Sequence, residues 1–143
     1  MVQLLKEMEE YAKENNIPIM MDDGLKFIED YIKKNNVKRI REIGSAIGYS
    51  AIRMCLNENI CITTIERDEV RYKEAVKNIK KAKLENQITL IYDDALNIDL
   101  DEKYDLIFID AAKGQYIKFF EKFEKNLSEK GAIISDNLKF HGY

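Results

Sequence analysis

The chain has 143 residues, of which 45% are hydrophobic and 34% charged, and its formal net charge is −3 at pH 7. This length suits one domain with a well-filled core, and the composition is that of a soluble globular protein. The acidic balance gives no general attraction to nucleic acid, and no apolar run reaches the ~18 residues that a membrane-spanning helix needs. We therefore predict a single domain over residues 1–143 that has no membrane partner and is cytoplasmic, with Cys55 and Cys61 as reduced core residues.

Hydrophobic periodicity predicts two helices at the start of the chain, over residues 4–15 and from Asp22 or Asp23 to about Asn36. After them, runs rich in β-branched residues alternate with segments of helical spacing. The predicted strands are 38–43, 60–66, 87–92, 104–110 and 132–135, and the predicted helices between them are 49–56, 68–82 and 116–127. This alternation predicts an α/β fold with a doubly wound, mostly parallel sheet and right-handed crossovers.

Arg41 lies inside the first of these strands, at a position where a central strand would bury its side chain. A buried charge costs several kcal/mol unless it is paired, because desolvation is poorly repaid by the attraction of a partner. The sequence therefore predicts an energetic cost at Arg41 unless the fold supplies a partner for it.

The segment from Glu42 to Ser50 is the most informative in the chain. It predicts a buried strand that ends in an acidic turn with Gly44 and Gly48 and opens directly into a helix. Its spacing, E-x-G-x-x-x-G, differs from the G-x-G-x-x-G loop that binds the pyrophosphate of a dinucleotide. An acid at this point would repel phosphate but suits a ligand with an ammonium group. S-adenosylmethionine has an ammonium and a sulfonium but no phosphate, so the turn favours methyl transfer over an NAD-linked oxidoreductase.

Acidic residues follow all five predicted strands: Glu42, Glu66, Asp94, Asp110 and Asp136. Ligands of doubly wound sheets bind beyond the carboxyl ends of the strands, where the strand order reverses. Glu66 could accept both ribose hydroxyls of a nucleoside, or it could be an acid favoured by the dipole of the next helix. Asp94, with Ala95, could recognise the edge of an adenine, or it could belong to an ordinary turn.

A metal site is a second hypothesis for this edge of the sheet. Asp110, Asp136 and Asn137 follow neighbouring predicted strands and offer the hard oxygen ligands that suit Mg²⁺ or another divalent cation. The same residues could instead cap helices or form turns. Lys113 would lie on the same rim, where a lowered pKa would let it act as a base, although most lysines are solvated.

Four short motifs occur in order along the chain: EIG and GYS within 42–50, IERD at 65–68, FIDAAK at 108–113 and SDN at 135–137. Together they resemble the divalent-cation-dependent O-methyltransferase family, which includes caffeoyl-CoA and catechol O-methyltransferases. The longer strings AIGYSAIRM at 46–54 and DAAKGQY at 110–116 are similar to its bacterial branch that methylates 5-hydroxyuridine at the wobble position of tRNA. The string IPIM at 17–20 also fits that branch.

By this resemblance the protein is an enzyme that binds S-adenosylmethionine and Mg²⁺ or another divalent cation. The implied cofactor contacts are Met20, Glu42, Gly44, Ser45, Ser50, Glu66, Arg67, Asp94, Ala95 and Asp110. The metal would be held by Asp110, Asp136 and Asn137, and the implied catalytic residues are Lys113, as the base, and Asp110. Metal binding would lower the pKa of the acceptor hydroxyl, whose oxyanion would attack the sulfonium methyl in line.

The same resemblance implies a homodimer and an acceptor that is either 5-hydroxyuridine of tRNA or a small hydroxylated aromatic. Family members continue into two further strands after the motif that contains Asp136 and Asn137, so the predicted sheet lacks the last two strands. A catalytically silent cofactor-binding fragment is the alternative from a different class of protein, and it would bind the cofactor without turnover.

Overall fold

The computed structural model describes residues 1–20, 22–56, 59–99, 102–110 and 116–135. Two helices come first, α1 (Val2–Glu14) and α2 (Asp22–Lys34). Strands and helices then follow as β1 (Arg39–Ile43), α3 (Tyr49–Cys55), β2 (Cys61–Glu66), α4 (Glu69–Ala82), β3 (Ile88–Tyr92), β4 (Tyr104–Ile109), α5 (Tyr116–Phe123) and β5 (Leu127–Ser135). Short 3₁₀ turns lie at Ala95–Asn97 and Glu124–Asn126. None of the helices in these ranges is long and apolar enough to cross a membrane.

The five strands run parallel in one sheet, in the order β3-β2-β1-β4-β5. The chain enters the sheet at β1 in the centre, runs outward to β3, and then returns to the other side of β1 with β4. The strand order therefore reverses between β1 and β4, and the carboxyl ends of these two strands are the expected place for a ligand. The predicted doubly wound parallel sheet is confirmed, and within the described ranges β5 forms one of its edges.

Each face of the sheet has its own hydrophobic core. Side chains from α1 to α4 pack on the first face, and this core includes Met8, Ile28, Ile40, Ile52, Ile79 and Leu106. On the second face α5 and the turn at Ala95–Asn97 pack on the strands, and this core includes Ile43, Ile65, Ala95, Ile107, Phe119 and Phe123. Because both faces are covered, β4 is apolar along nearly its whole length, as its sequence predicted.

The boundary between α5 and β5 differs from the prediction. The helical spacing of Phe123 and Leu127 predicted a helix that ends at residue 127, but α5 ends at Phe123 and Leu127 already begins β5. Tyr104 pairs with Leu127 while Leu106 pairs with Ala132, so β5 carries extra residues opposite a short stretch of β4. Such an irregularity breaks the two-residue alternation by which strands are recognised, and the prediction of a strand from residue 132 therefore missed its first half.

Arg41 is fully buried in β1, with 0% of its surface exposed. Its guanidinium carbon lies 3.9 Å from the ring centroid of Phe123 and 5.9 Å from that of Tyr104. None of its three guanidinium nitrogens has a hydrogen-bond partner among the residues that the structure describes. Burial lowers the pKa of Arg41 below its ordinary value. The fold therefore supplies aromatic rings rather than a carboxylate in contact with this charge, and the predicted energetic cost remains.

Candidate functional site

The turn after β1 is held in place by backbone contacts with β2 and β4. The backbone N–H groups of Gly44 and Ser45 both donate to the carbonyl oxygen of Ile65, at 2.9 and 3.1 Å. Gly44 and Gly48 have φ values of +95° and +90°, which favour glycine. A Cβ atom at Gly44 would lie 2.2 Å from the carbonyl oxygen of Asp110, so no side chain fits there. The predicted glycine turn is thus a tightly confined segment at the reversal point of the sheet.

The side chain of Glu42 holds this turn in place through hydrogen bonds. Its side chain is 0% exposed, and its carboxylate accepts hydrogen bonds from two hydroxyl groups. The Ser50 hydroxyl donates to Oε2, and the Thr64 hydroxyl donates to Oε1 at 2.7 Å. The Thr64 hydroxyl also lies 2.5 Å from the Ser45 hydroxyl. Ser50 and Thr64 therefore bond directly to one buried carboxylate, and Ser45 is linked to it through Thr64.

Glu66 connects the same turn to the start of α4. One carboxylate oxygen accepts the N–H of Ala46 at 2.7 Å, and the other accepts the N–H of Asp68 at 3.0 Å. Asp68 in turn caps α4 by accepting the N–H of Arg71 at 2.9 Å. Each carboxylate oxygen has more than one acceptor position. Glu66, 7% exposed, is thus held rigidly and retains the chemistry to accept ligand hydroxyls.

The ends of β3 and β4 complete this edge of the sheet. The N–H of Asp93 donates to the carbonyl of Glu66 at 3.1 Å, and the N–H of Asp110 donates to the carbonyl of Ile43 at 2.8 Å. Asp94 caps the turn at Ala95–Asn97 by accepting the N–H of Leu96 at 3.0 Å, as expected of a turn residue. The structure therefore brings the predicted acids of β1 to β4 to one edge.

The remaining predicted site residues are exposed, packed in a hydrophobic core, or outside the described ranges. Arg67 is exposed beside Glu66, whereas Met20 is 6% exposed and packs in the first core. Lys113, Asp136 and Asn137 lie outside the described residues. Within the described ranges, no group of three or more His, Cys, Asp or Glu side chains is placed to hold a metal ion.

The family model for O-methyltransferases matches residues 1–143. The chain belongs to the O-methyltransferase family. Its curated relatives in this family are longer than the chain, which spans 64% to 66% of the lengths of three of them. One is the caffeoyl-CoA O-methyltransferase of Populus kitakamiensis, 30% identical over 152 residues that cover 96% of this chain and 64% of the relative.

Solved structures of the O-methyltransferase family have the same architecture. One from Staphylococcus aureus, provisionally assigned as a caffeoyl-CoA O-methyltransferase, is 41% identical with a TM-score of 0.87, covering 96% of this chain and 68% of its own. The O-methyltransferase from Bacillus cereus, solved in complex with SAH, is 28% identical with a TM-score of 0.81, covering 95% of this chain and 66% of its own. The five-stranded sheet is therefore that of this family.

Sequence reasoning missed two buried polar residues that support the site of this O-methyltransferase family member. Thr64 binds Glu42, and the side-chain amide of Asn78 donates to the carbonyl of Ile47 in the glycine turn at 2.9 Å. Asn78 is 3% exposed on the inward side of α4. A polar residue on an otherwise apolar helix stripe was the available signal for Asn78. Thr64 had the weaker signal of a hydroxyl two residues before Glu66, on the same side of the strand.

Cys55, near the buried Glu42, gives a pH-dependent prediction. Burial, together with the charges of Glu42 and Cys61, raises the pKa of Cys55 from 9.0 to about 12. Between these two values the unfolded chain has lost the thiol proton while the folded chain retains it. Its contribution to stability is thus complete below the lower value and is lost as the pH rises towards the higher one. We expect this thiol to lower the free energy of unfolding by up to about 1.4 kcal/mol per pH unit in that window.

Urea unfolding across this pH window, followed by circular dichroism, measures the effect, and Cys55→Ala should flatten the slope. Cys61→Ala is the matched control, because Cys61 is exposed; the prediction that both cysteines are core residues was therefore wrong for Cys61. Burial also raises the pKa values of Tyr49 and Tyr104, so some slope should remain in every variant at the alkaline end. An unchanged slope in Cys55→Ala would contradict the prediction.

Proposed function

We propose that this chain is the cofactor-binding part of an S-adenosylmethionine-dependent O-methyltransferase. The observation that carries the proposal is the meeting of the confined Gly44 turn with the carboxylates of Glu42 and Glu66 at the point where the strand order reverses. Carboxylate and hydroxyl oxygens suit a ligand with an ammonium and a sulfonium and disfavour a pyrophosphate. The SAH bound to the Bacillus cereus relative supports the same cofactor class.

Residues at each strand end would bind a different part of the cofactor. Glu66 would accept the ribose hydroxyls, while its bonds to Ala46 and Asp68 keep its carboxylate in place. Asp94 and Ala95 would meet the adenine edge, and Arg67 would flank it. The turn with Gly44, Ser45 and Ser50 would meet the amino-acid portion, together with Asp110, and Met20 would contribute from the connection between α1 and α2.

The reaction would be an in-line displacement at the methyl carbon. The acceptor oxygen forms a bond with the methyl group while the bond between methyl and sulfur breaks, and its electron pair leaves the sulfur as a neutral thioether. The hydroxyl proton would pass to Lys113, which we propose as the base. Positioning of the two reactants would supply much of the acceleration. We propose that Asp110, Asp136 and Asn137 would hold a divalent cation such as Mg²⁺, which when bound lowers the pKa of the acceptor hydroxyl.

For the acceptor we propose 5-hydroxyuridine of tRNA, on the strength of the strings at 46–54 and 110–116. A small hydroxylated aromatic is the rival acceptor, supported by the name of the Populus kitakamiensis relative. Incubation with S-adenosylmethionine and tRNA, followed by nucleoside analysis, would yield the methylated nucleoside if the first proposal holds. Methylation of a catechol but not of tRNA would favour the rival. We also propose that the protein is cytoplasmic and forms a homodimer. Analytical sedimentation would test the dimer.

A cofactor-binding fragment without turnover is the second candidate function. The chain spans about two thirds of the lengths of its curated relatives, so turnover by these residues is a separate proposal from cofactor binding. This candidate shares the cofactor site and differs only in the absence of methyl transfer to any acceptor. Robust methylation by the 143-residue chain would exclude it.

Calorimetric titration with S-adenosylmethionine tests the cofactor site, with Glu66→Gln as the decisive variant. The amide removes one acceptor oxygen and the charge, so we expect the affinity to fall by about tenfold or more. Glu69→Gln is the matched control: Glu69 begins α4, is exposed, and pairs only at the surface with Lys73 at 2.9 Å, so binding should be unchanged. Absence of binding by the unmodified chain would contradict the proposal, and wild-type affinity in Glu66→Gln would remove the ribose role.

A further inference from the structure

The contacts beneath the glycine turn carry a more specific inference, which rests on the proposed function. Glu42 and Thr64 are 0% exposed and Ser45 is 1% exposed. The parallel register of β1 and β2 puts Glu42 directly opposite Thr64. The Thr64 hydroxyl donates to Oε1 of Glu42 at 2.7 Å and lies 2.5 Å from the Ser45 hydroxyl. Thr64 therefore joins a buried carboxylate to a residue of the turn.

The hydrogens of these hydroxyl groups have one consistent arrangement. A hydroxyl has a single hydrogen, and a carboxylate has none. Because Thr64 gives its hydrogen to Glu42, Ser45 must donate its own hydrogen to Thr64. Ser50 likewise gives its hydrogen to the other oxygen of Glu42. All three hydroxyl hydrogens are thus donated within this cluster, to Thr64 or to Glu42. The Ser45 oxygen can therefore only accept a hydrogen bond from a further group.

We propose that Thr64 is a positioning residue that sets the turn for the amino-acid portion of S-adenosylmethionine. The Thr64 hydroxyl is fully engaged by Glu42 and Ser45, so Thr64 would act through these two residues and would not itself bind the ligand. The proposed function places the turn at Ser45 and the Glu42 carboxylate at the amino-acid portion, and both are left with oxygens that accept from a donor such as the ligand ammonium.

The nucleoside portion of the cofactor would not depend on Thr64. Its partners, Glu66 and Asp94, are held by other contacts: Glu66 by the N–H groups of Ala46 and Asp68, and Asp94 by the N–H of Leu96. Loss of the Thr64 hydroxyl should therefore weaken only ligands that carry the amino-acid portion. A merely structural role would instead weaken all ligands of the site equally.

Calorimetry with three ligands separates these cases. S-adenosylmethionine and S-adenosylhomocysteine carry the amino-acid portion, and 5′-methylthioadenosine lacks it. Thr64→Val keeps the shape of the side chain and removes its hydroxyl, so we expect the affinity for the first two ligands to fall about tenfold, as for one lost buried hydrogen bond. The affinity for methylthioadenosine should stay at the wild-type value. Thr64→Ser restores the hydroxyl and should restore the affinity.

Thr63→Val is the matched control on the same strand. Thr63 is the next residue, its side chain points to the opposite face of the sheet, and its hydroxyl bonds to Tyr104 rather than to the turn. This variant should bind all three ligands as the unmodified chain does. Melting temperatures of all variants establish that each is folded at the temperature of the titration.

The outcomes distinguish this inference from the proposed function. If the unmodified chain binds no S-adenosylmethionine, the proposed function fails, and the positioning role with it. If the unmodified chain binds and Thr64→Val loses affinity for no ligand, or equally for all three, only the positioning role of Thr64 is overturned. Should Thr64→Val not fold, Thr64→Ala removes the same hydroxyl without placing a second methyl group beside Glu42. Its selective loss would support the role, and an equal loss would overturn it.

Discussion

Gly44→Ala is expected to destabilise the protein severely and to abolish cofactor binding. The added Cβ would lie 2.2 Å from the backbone carbonyl oxygen of Asp110, which cannot swing aside as a side chain would. The φ value of +95° adds backbone strain. Strain of about 1–3 kcal/mol and overpacking of about 1–3 kcal/mol add to roughly 2–6 kcal/mol. That is a large part of the ~5–15 kcal/mol by which a domain is stable.

Gly48→Ala is the matched control for this prediction, because it has nearly the same φ but not the same crowding. Gly48 has a φ of +90°, and a Cβ there would meet the Cβ of Ala75 at 3.6 Å, an ordinary contact. Denaturant unfolding of both variants measures the difference, and titration with S-adenosylmethionine shows its effect on the site. Equal destabilisation of the two variants would contradict the prediction, because the backbone near Asp110 would then have moved away from the added Cβ without a further loss of stability.

Arg41→Met is expected to stabilise the protein. The guanidinium is fully buried, and its nitrogens have no hydrogen-bond partner among the described residues. Replacement of a buried charge by an apolar side chain of similar length removes the cost of desolvation, and in other proteins such changes are neutral or stabilising by about 1–4 kcal/mol. The contact with the Phe123 ring offsets part of this gain, because an interaction of a cation with an aromatic ring contributes ~0.5–2 kcal/mol.

The measurement is the free energy of unfolding in urea, with Arg39→Met as the control. Arg39 is on the same strand, but its side chain is 50% exposed and pairs with Glu102 at 2.5 Å. Surface pairs contribute little, so this variant should differ from the unmodified chain by less than about 1 kcal/mol. A clear loss of stability in Arg41→Met would show that Arg41 is a stabilising residue of the second core, and would contradict the prediction.

The order and type of the elements could be predicted from sequence because each has a strong local pattern. β4 is an apolar run, as a strand buried on both faces requires, and α4 begins at Asp68, whose side chain caps it as predicted. The glycine turn was predictable from the composition of Glu42 to Ser50. The end of α5 was not, because Phe123 and Leu127 have helical spacing and lie on opposite sides of a short 3₁₀ turn.

The contacts within the site depend on strand register, which neither strand specifies alone. Thr64 meets Glu42 because Arg39 of β1 pairs with Cys61 of β2; a shift by one residue would have turned Thr64 away. The same register leaves Cys61 exposed at the start of β2, whereas composition predicted a core residue. The acids at the strand ends could thus be predicted as a group, but not the hydroxyl groups that hold Glu42.

The approach of Gly44 to Asp110 also has a consequence for the order of folding. These residues are far apart in the chain, and such contacts form only after the intervening segment has closed. The turn thus reaches its final shape only when β4 has joined β1, so a nascent chain that ends before Asp110 would have no finished pocket. S-adenosylmethionine would then bind only chains in which β4 has joined β1, and it would stabilise them by mass action. Binding of the cofactor would therefore indicate that β4 has paired with β1.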